Sequence, residues 1–419
     1  KQYMRRVVVT GLGVVSPVGS KIDTFWSNLV NGKNGIDYIT YFDTTNYKVK
    51  IAAEVKGFNA SDYFERSEAR KMDLFSQYAV AAADQAVRDS GLEADKVDGT
   101  RFGVYVGSGI GGIKTFYEET LKLVQNGPRR VSPFFVPMMI SNMASGLIAI
   151  RYGAKGPCLP VVTACATGTH AIGEAYRNIL HGYSDIIIAG GSEAAITELA
   201  IAGFINCMAL STTNDPNYSS IPFDLNRNGF VMGEGAGMLI LEEYEHAVKR
   251  GAKIYAEVKG YANTCDAYHI TAPDPETEMP ALAIKSAAEQ CGIGKNDLSK
   301  VYVNAHGTGT PLNDKCETMA FKKAFGEGAY ELSISSTKSM TGHMLGAAGA
   351  VEAIVSVLAL RDGVIPPTIN LKAKDPDCDL DYTPNQSVRK GLKYALSTSL
   401  GFGGHNACIA FERMEDDEH

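Results

Sequence analysis

The chain of 419 residues is 45% apolar and 21% charged, enough hydrophobic material for several folded domains or one large duplicated one. Its formal charge of −7 supplies no general basic field for a nucleic acid. Eight cysteines with no C-x-x-C pair, and no Cys/His cluster at zinc spacing, argue against a disulfide scaffold and a bound metal and for a reducing, cytoplasmic setting.

In chain order, Lys1–Arg6 runs straight into a predicted strand over Val7–Thr10, without the apolar region of a secretion signal. A helix over Phe75–Ser90 precedes a strand over Phe102–Gly107, which ends in the glycine turn G-S-G-I-G-G, Gly107 to Gly112. That turn lacks G-x-G-x-x-G spacing and a following Lys-Ser/Thr, which argues against a nucleotide. The longest uncharged stretch, Val131 to Ile150, holds Pro133, Pro137, Asn142 and three serines. It is expected to be a buried segment or a subunit interface, with no membrane insertion. A strand over Pro160–Thr163 leads into a helix over Ala166–Leu180, where Ile172, Tyr176, Ile179 and Leu180 form an apolar stripe. Strands over Asp185–Ala189, Gly237–Glu242 and Tyr255–Gly260 follow, then a helix over Met279–Cys291. Strands are next predicted over Val301–Asn304 and Ser333–Thr337, a helix over Met344–Leu360, and strands over Ala395–Thr398 and Ala407–Phe411. The Met344–Leu360 helix carries only Glu352 and Ser356 as polar side chains, so it should be buried all round, between two sheets. The tail Glu412–His419 is mostly charged and is expected to fray.

This alternation argues for an α/β fold with parallel or mixed sheets. The turns before the helices Ala166–Leu180 and Met344–Leu360 look alike, as do the strand–turn pairs Phe102–Gly109 and Val301–Gly309. Their offsets, about 180 and about 200 residues, fit an old duplication. The predicted halves are residues 1–250 and 251–419.

Four turns carry the candidate chemistry. In T-A-C-A-T-G, Thr163 to Gly168, Cys165 sits where a strand becomes a helix, and helix N–H groups there favour a thiolate; a buried, inert cysteine is equally compatible. N-A-H-G-T-G-T-P places His306 at a strand end, where it serves as a site residue or merely caps the strand. T-K-S-M-T-G-H places Lys338 and His343 at another strand-to-helix turn. G-F-G-G-H-N, Gly401 to Asn406, offers backbone N–H groups at close range and sets Phe402 as a wall or gate, or is simply a hairpin turn. Ligands in open α/β sheets bind beyond the strands' carboxyl ends, so Cys165, His306, Lys338 and His343 can converge. A thiolate accepts an acyl group by thioester exchange, and two imidazoles donate hydrogen bonds to an enolate. No Asp or Glu lies within the Cys165, His306 and Lys338–His343 motifs, which suits a carbanion made by loss of CO2 rather than by proton abstraction.

From Arg6 to Phe411 the chain resembles the β-ketoacyl-acyl-carrier-protein synthases, condensing enzymes of the thiolase superfamily. The T-A-C-A-T-G, H-G-T-G-T-P, K-S-M-T-G-H and G-F-G-G-H-N motifs stand in that family's order and spacing. G-S-G-I-G-G, A-R-K-M-D and R-R-V-S-P-F-F-V-P-M-M-I add similarity to the bacterial elongating type II synthases. The resemblance implies a thiolase-like duplicated five-layer α-β-α-β-α sandwich, a homodimer and an acyl carrier protein as partner. It implies decarboxylative Claisen condensation of an acyl thioester with a malonyl carrier in fatty acid elongation. No cofactor is implied beyond the phosphopantetheine on which the carrier holds its substrates.

Residue by residue, the resemblance makes Cys165 the acyl-accepting nucleophile, with His306 and His343 holding the malonyl thioester and Lys338 supporting them. Backbone N–H groups of Cys165 and Phe402 would form the oxyanion hole, Phe402 also gating the acyl channel. Thr308 and Thr310 would contact the pantetheine arm, and Glu317 would pair near the lysine. Ile110 and Phe134, the latter from a partner subunit, are expected to limit the acyl pocket. Arg70, Lys71, Arg129 and Arg130 are the candidate carrier-docking residues, unless they pair with neighbours such as Glu68 and Asp73. Gly309 stands where many relatives carry Ser, and Thr213 where some carry a basic docking residue. A degradative thiolase would need a second cysteine as base near the glycine loop, and Cys408 lies beyond it in a strand. A non-catalytic chain-length subunit would lack Cys165.

Overall fold

The computed structural model describes residues 4–414; the rest of the charged tail expected to fray, 415–419, lies outside the described residues. Ten strands build the core: β1 Val7–Val15, β2 Phe102–Gly107, β3 Cys158–Leu159, β4 Ile186–Glu193 and β5 Gly235–Glu243. The second five are β6 Ala256–Cys265, β7 Val301–Asn304, β8 Ser333–Ser335, β9 Tyr394–Gly401 and β10 His405–Glu412. Their order is β3-β2-β4-β5-β1 joined to β6-β10-β9-β7-β8, so each half repeats one order outward from the β1–β6 junction. The directions repeat too: in each half the two pairs nearest the junction are antiparallel and the two outer pairs parallel.

Five helices complete the layers: α1 Leu74–Ser90, α2 Thr167–Leu180, α3 Glu278–Cys291, α4 Pro311–Phe325 and α5 Ala348–Asp362. α1 covers the outside of the first half-sheet, and α3 and α4 cover the outside of the second. α2 and α5 touch strands of both halves, which makes them the central layer of a five-layer α-β-α-β-α sandwich. Every residue of α5 from Ala348 to Leu360 is buried, as its almost unbroken apolar sequence demands. α2 and α5 cross closely: a Cβ at Gly168 would stand 2.5 Å from the Ala350 nitrogen.

Several boundaries differ from the sequence expectation for physical reasons. β1 continues past Thr10 through Gly11 and Gly13 because α1 presses on it there; a Cβ at Gly13 would lie 1.9 Å from the Ala82 carbonyl oxygen. The predicted strand Pro160–Thr163 is instead Cys158–Leu159, since Pro160 has no N–H for the ladder. The stretch 131–150 is not buried in the single chain: it forms the short helix Phe135–Met139 and most of Met143–Tyr152, with Phe134, Val136 and Ile150 exposed. No helix among the described residues is long and apolar enough to cross a membrane.

Candidate active site

Both central helices begin in the same strained way. Ala164 and Leu345 carry φ of 51° and 49°, left-handed backbone that residues with a Cβ seldom adopt. Each opens a short 3-10 turn, Ala164–Ala166 into α2 and Leu345–Ala347 ahead of α5. The first turn puts Cys165 at the head of α2, half-buried and lining a cavity of about 380 Å³. The β9–β10 hairpin closes over it. A Cβ on Gly401 would stand 2.9 Å from Thr163 O and 3.2 Å from Cys165 N, so only a bare backbone fits. The next residue, Phe402, lines the cavity and directs its backbone N–H to the thiol. The glycine loop is thus both a hairpin turn and part of the site.

Burial pushes the Cys165 thiol up to about 12; the Lys338 charge and the Phe402 N–H draw it down, and Glu193 and Glu352 oppose them. The expectation of a thiol acidified by its place at the helix head is therefore corrected: desolvation raises it by more than the Lys338 charge and the Phe402 N–H lower it.

His306 leaves β7 with its N–H donating to Glu317 Oε1 at 2.6 Å and to Thr398 Oγ1 at 3.2 Å. Gly307 N–H donates to Glu317 Oε2 at 2.8 Å, and the Thr398 hydroxyl to Oε1 at 2.7 Å. Glu317, on α4, therefore holds the histidine turn and does not pair with the lysine. The ion partner of Lys338 is Glu352, with Nζ 3.0 Å from Oε2, because α5 runs directly behind the Lys338 turn. Burial raises the Glu352 carboxyl to about 7, with Lys338 pulling it down. Lys338 is itself fully buried and lies behind the cavity wall.

The two histidine rings stand 5.2 Å apart, nearly perpendicular, and both line the cavity. Burial, with the Lys338 charge adding to it, holds both well below the ordinary imidazole value, so both are neutral near pH 7. Their tautomers follow from their neighbours. Nδ1 of His343 accepts the Leu345 N–H at 3.3 Å, which leaves the proton on Nε2. Nδ1 of His306 lies 3.5 Å from the Lys338 ammonium, a group that only donates, so its proton is on Nε2 as well. Thr308 and Thr310 line the same cavity, their hydroxyl oxygens 2.9 Å apart.

The remaining candidates lie elsewhere. Ile110 and Phe134 do not line the cavity in the single chain; both are partly exposed, and Lys71 Nζ sits 5.3 Å from the centre of the Phe134 ring. Arg70, Lys71, Arg129 and Arg130 are exposed and form no ion pair among the described residues. Glu68 pairs with Arg151 instead, and Asp73 caps α1 and binds Thr115. Cys408 is buried in β10, within the apolar cluster of the second half, and is no part of the cavity.

Two buried carboxylates were not singled out from the sequence. Glu352 was visible as the one charge in an apolar helix. Glu193 ends the apolar run of β4 and takes four donors: Ser108 hydroxyl at 2.9 Å, Gly109 N–H at 2.9 Å, Ile110 N–H at 3.1 Å and Gly346 N–H at 2.9 Å. It ties the G-S-G-I-G-G turn to the head of the α5 segment, and its occupancy of the Gly109 and Ile110 N–H groups explains why that turn is no phosphate cradle.

A cysteine, two neutral N–H-donating imidazoles and a backbone N–H on one cavity of a duplicated five-layer sandwich define an acyltransferase of the thiolase-like class. The family models for "Beta-ketoacyl synthase, N-terminal domain" and "Beta-ketoacyl synthase, C-terminal domain" match residues 4–247 and 255–372. The chain is 52% identical over 411 residues to a 3-oxoacyl-[acyl-carrier-protein] synthase 2 of Staphylococcus aureus, covering 98% of this chain and 99% of the relative. It is 51% identical to the protein of that name from Synechocystis, with the same coverage. Among solved structures, a type II PKS ketosynthase in complex with its acyl-carrier protein superposes with a TM-score of 0.91 at 37% identity, covering 99% of this chain and 100% of that one. A β-ketoacyl synthase from Burkholderia phymatum gives a TM-score of 0.91 at 36% identity, covering 98% and 100%. The chain belongs to the β-ketoacyl synthase family.

Proposed function

We propose that Cys165, His306, His343 and Phe402 carry out decarboxylative condensation of an acyl thioester with a malonyl-acyl-carrier protein in fatty acid elongation. The observation that carries this is the pair of Nε2–H donors on the wall that also holds the thiol. In the first half-reaction the Cys165 sulfur bonds to the acyl carbonyl carbon. The oxyanion rests on the Cys165 and Phe402 N–H groups, and the carrier thiol leaves with the proton. Because burial keeps the resting thiol protonated, the thiolate forms during transfer, where the head of α2 stabilises it. In the second, the bond from the malonyl methylene to its carboxylate breaks and CO2 departs. The electron pair becomes an enolate whose oxygen is held by His306 and His343. The enolate carbon bonds to the acyl carbonyl carbon, and the bond from that carbon to the Cys165 sulfur breaks with its electron pair going to sulfur. The 3-oxoacyl carrier leaves, and Cys165 takes one proton from solvent to regain its resting thiol.

Lys338 and Glu352 set the field behind His306, Glu317 fixes its turn, and Thr308 and Thr310 receive the pantetheine arm. The thioesters bring their own activation, so no separate cofactor enters. The halves 1–250 and 251–419 contribute the cysteine and the histidines respectively. A homodimer is supported by the edge strand β3 and the exposed Val136, Ile150, Leu159 and Val162, and would bring Phe134 of one copy toward the Ile110 side of the other. A cytoplasmic location fits the exposed free cysteines Cys158, Cys207 and Cys265. The test is direct: acyl carrier and malonyl carrier given together should yield CO2 and a 3-oxoacyl product, and Cys165→Ala should lose both the product and the acyl adduct seen by intact mass. An adduct on another cysteine would overturn the assignment.

A further inference from the structure

A second cavity, of about 510 Å³, lies on the first half of the chain and shares no residue with the catalytic one. Its walls come from the loop bearing Tyr41, Phe42 and Phe58, from Tyr78 on α1, and from Tyr117 on the helix Ile113–Asn126. Its floor is Glu234, only 1% exposed, just before β5. All three hydrogen bonds to this carboxylate reach one oxygen: Oε1 accepts the Tyr41 hydroxyl, the Tyr78 hydroxyl at 3.2 Å and the Val55 N–H at 2.9 Å. No hydrogen bond among the described residues reaches Oε2, and the cavity is the space that this buried side chain borders. Glu118 and Glu198 stand on the rim with Lys114 as the one opposing charge.

A buried carboxylate with one oxygen unengaged, set among five aromatic rings, is a poor receptor for an acyl chain or an anion. An organic cation gains from contact with aromatic walls, and the carboxylate with its unengaged oxygen supplies the counter-charge in a desolvated place. We propose that this cavity binds a small organic cation, an amine or quaternary ammonium on an apolar body, at a site separate from the condensation chemistry. Nothing in the established reaction uses Glu234, Tyr41 or Tyr78, and the apolar cluster containing Ile196 and Leu345 lies between this cavity and Cys165.

The probe is benzyltrimethylammonium chloride, with benzoate and benzyl alcohol as anionic and neutral controls, titrated into the full chain by calorimetry and ligand-observed NMR at about pH 8. Burial raises the Glu234 carboxyl to about 7, so it is ionised there. Saturable binding of the cation and none of benzoate is the expected result. Glu234→Gln should weaken the cation by about tenfold or more. Leu121→Trp, filling the cavity from its rim, should do the same without touching the carboxylate, and guards against a Glu234→Gln chain that fails to fold. The condensation rate should survive in both variants. Equal binding of benzoate, or undiminished cation binding by either folded variant, would overturn the proposal.

Discussion

Lys338 and Glu352 form an ion pair with both side chains at most 4% exposed, directly behind His306. Isolated charges at such depth are costly, and the pair exists because each neutralises the other. Its consequence for the site is directional. The Lys338 charge reinforces burial in keeping both imidazoles neutral and opposes burial at the Cys165 thiol.

The acid limb of the condensation rate should therefore fall well below the ordinary imidazole value of 6.5. Protonating Nδ1 of His343 would set a donor against the Leu345 N–H, and protonating Nδ1 of His306 would set one against Lys338, so each ring would lose its position. Lys338→Met removes the cation, raises both histidines toward 6.5 and should move the limb upward. The pH dependence of single-turnover condensation measures this. A limb that stays where it was would remove Lys338 from the electrostatic role.

His343→Ala should separate the half-reactions. The lost donor acts on the enolate, a charge present mainly in the transition state, so condensation should fall by about 10²–10³ while Cys165 acylation persists. Intact-mass acylation beside CO2 release reads both steps. Equal loss of the two steps would mean that His343 supports the fold or the acyl transfer instead.

Glu193→Gln keeps the volume and replaces one acceptor oxygen with an N–H donor. An amide offers one oxygen where the carboxylate takes two donors on each side, so either orientation opposes N–H to N–H. With its NH2 facing the Ser108 hydroxyl, which can accept, the amide still leaves the Ile110 N–H unpaired, and one buried donor without a partner should cost about 1–3 kcal/mol. Urea unfolding of the variant checks this. A stability within about 0.5 kcal/mol of the parent would show that the loop and the α5 head do not depend on the carboxylate.

Periodicity and turn composition made the duplicated α/β fold, the buried central helix and the four site turns readable, because glycine turns after apolar strands are local features. Cys165, His306, His343 and Phe402 share one cavity, as their places at strand ends implied. What escaped was set by tertiary contact. Glu317 and Glu352 are both acidic residues on helices, and nothing in their neighbourhoods says which meets Lys338; the packing of α5 behind the Lys338 turn decides it. The thiol shift inverted for the same reason, since helix position is local and burial is not. Glu193 binds residues 83 to 153 positions away, a partnership that no window on the sequence contains.

Carrier recognition gives the last prediction. The chain's charge of −7 repels an acidic partner at long range, so attraction must be local and effective within roughly a Debye length of about 8–10 Å. Arg70, Lys71, Arg129 and Arg130 are exposed and, among the described residues, unpaired, and Lys71 leans on Phe134 just past the Arg129–Arg130 pair. These residues do not line the cavity of their own chain. Reversing Arg129 and Arg130 to Glu should raise KM for carrier-bound substrate and leave kcat nearly unchanged. Turnover of a free pantetheine thioester should be unaffected, and added salt should weaken the parent toward the variant. Equal loss with both substrates would assign the arginines to the fold. No loss with either would move the docking surface to the exposed rim formed by Met208 and Leu312.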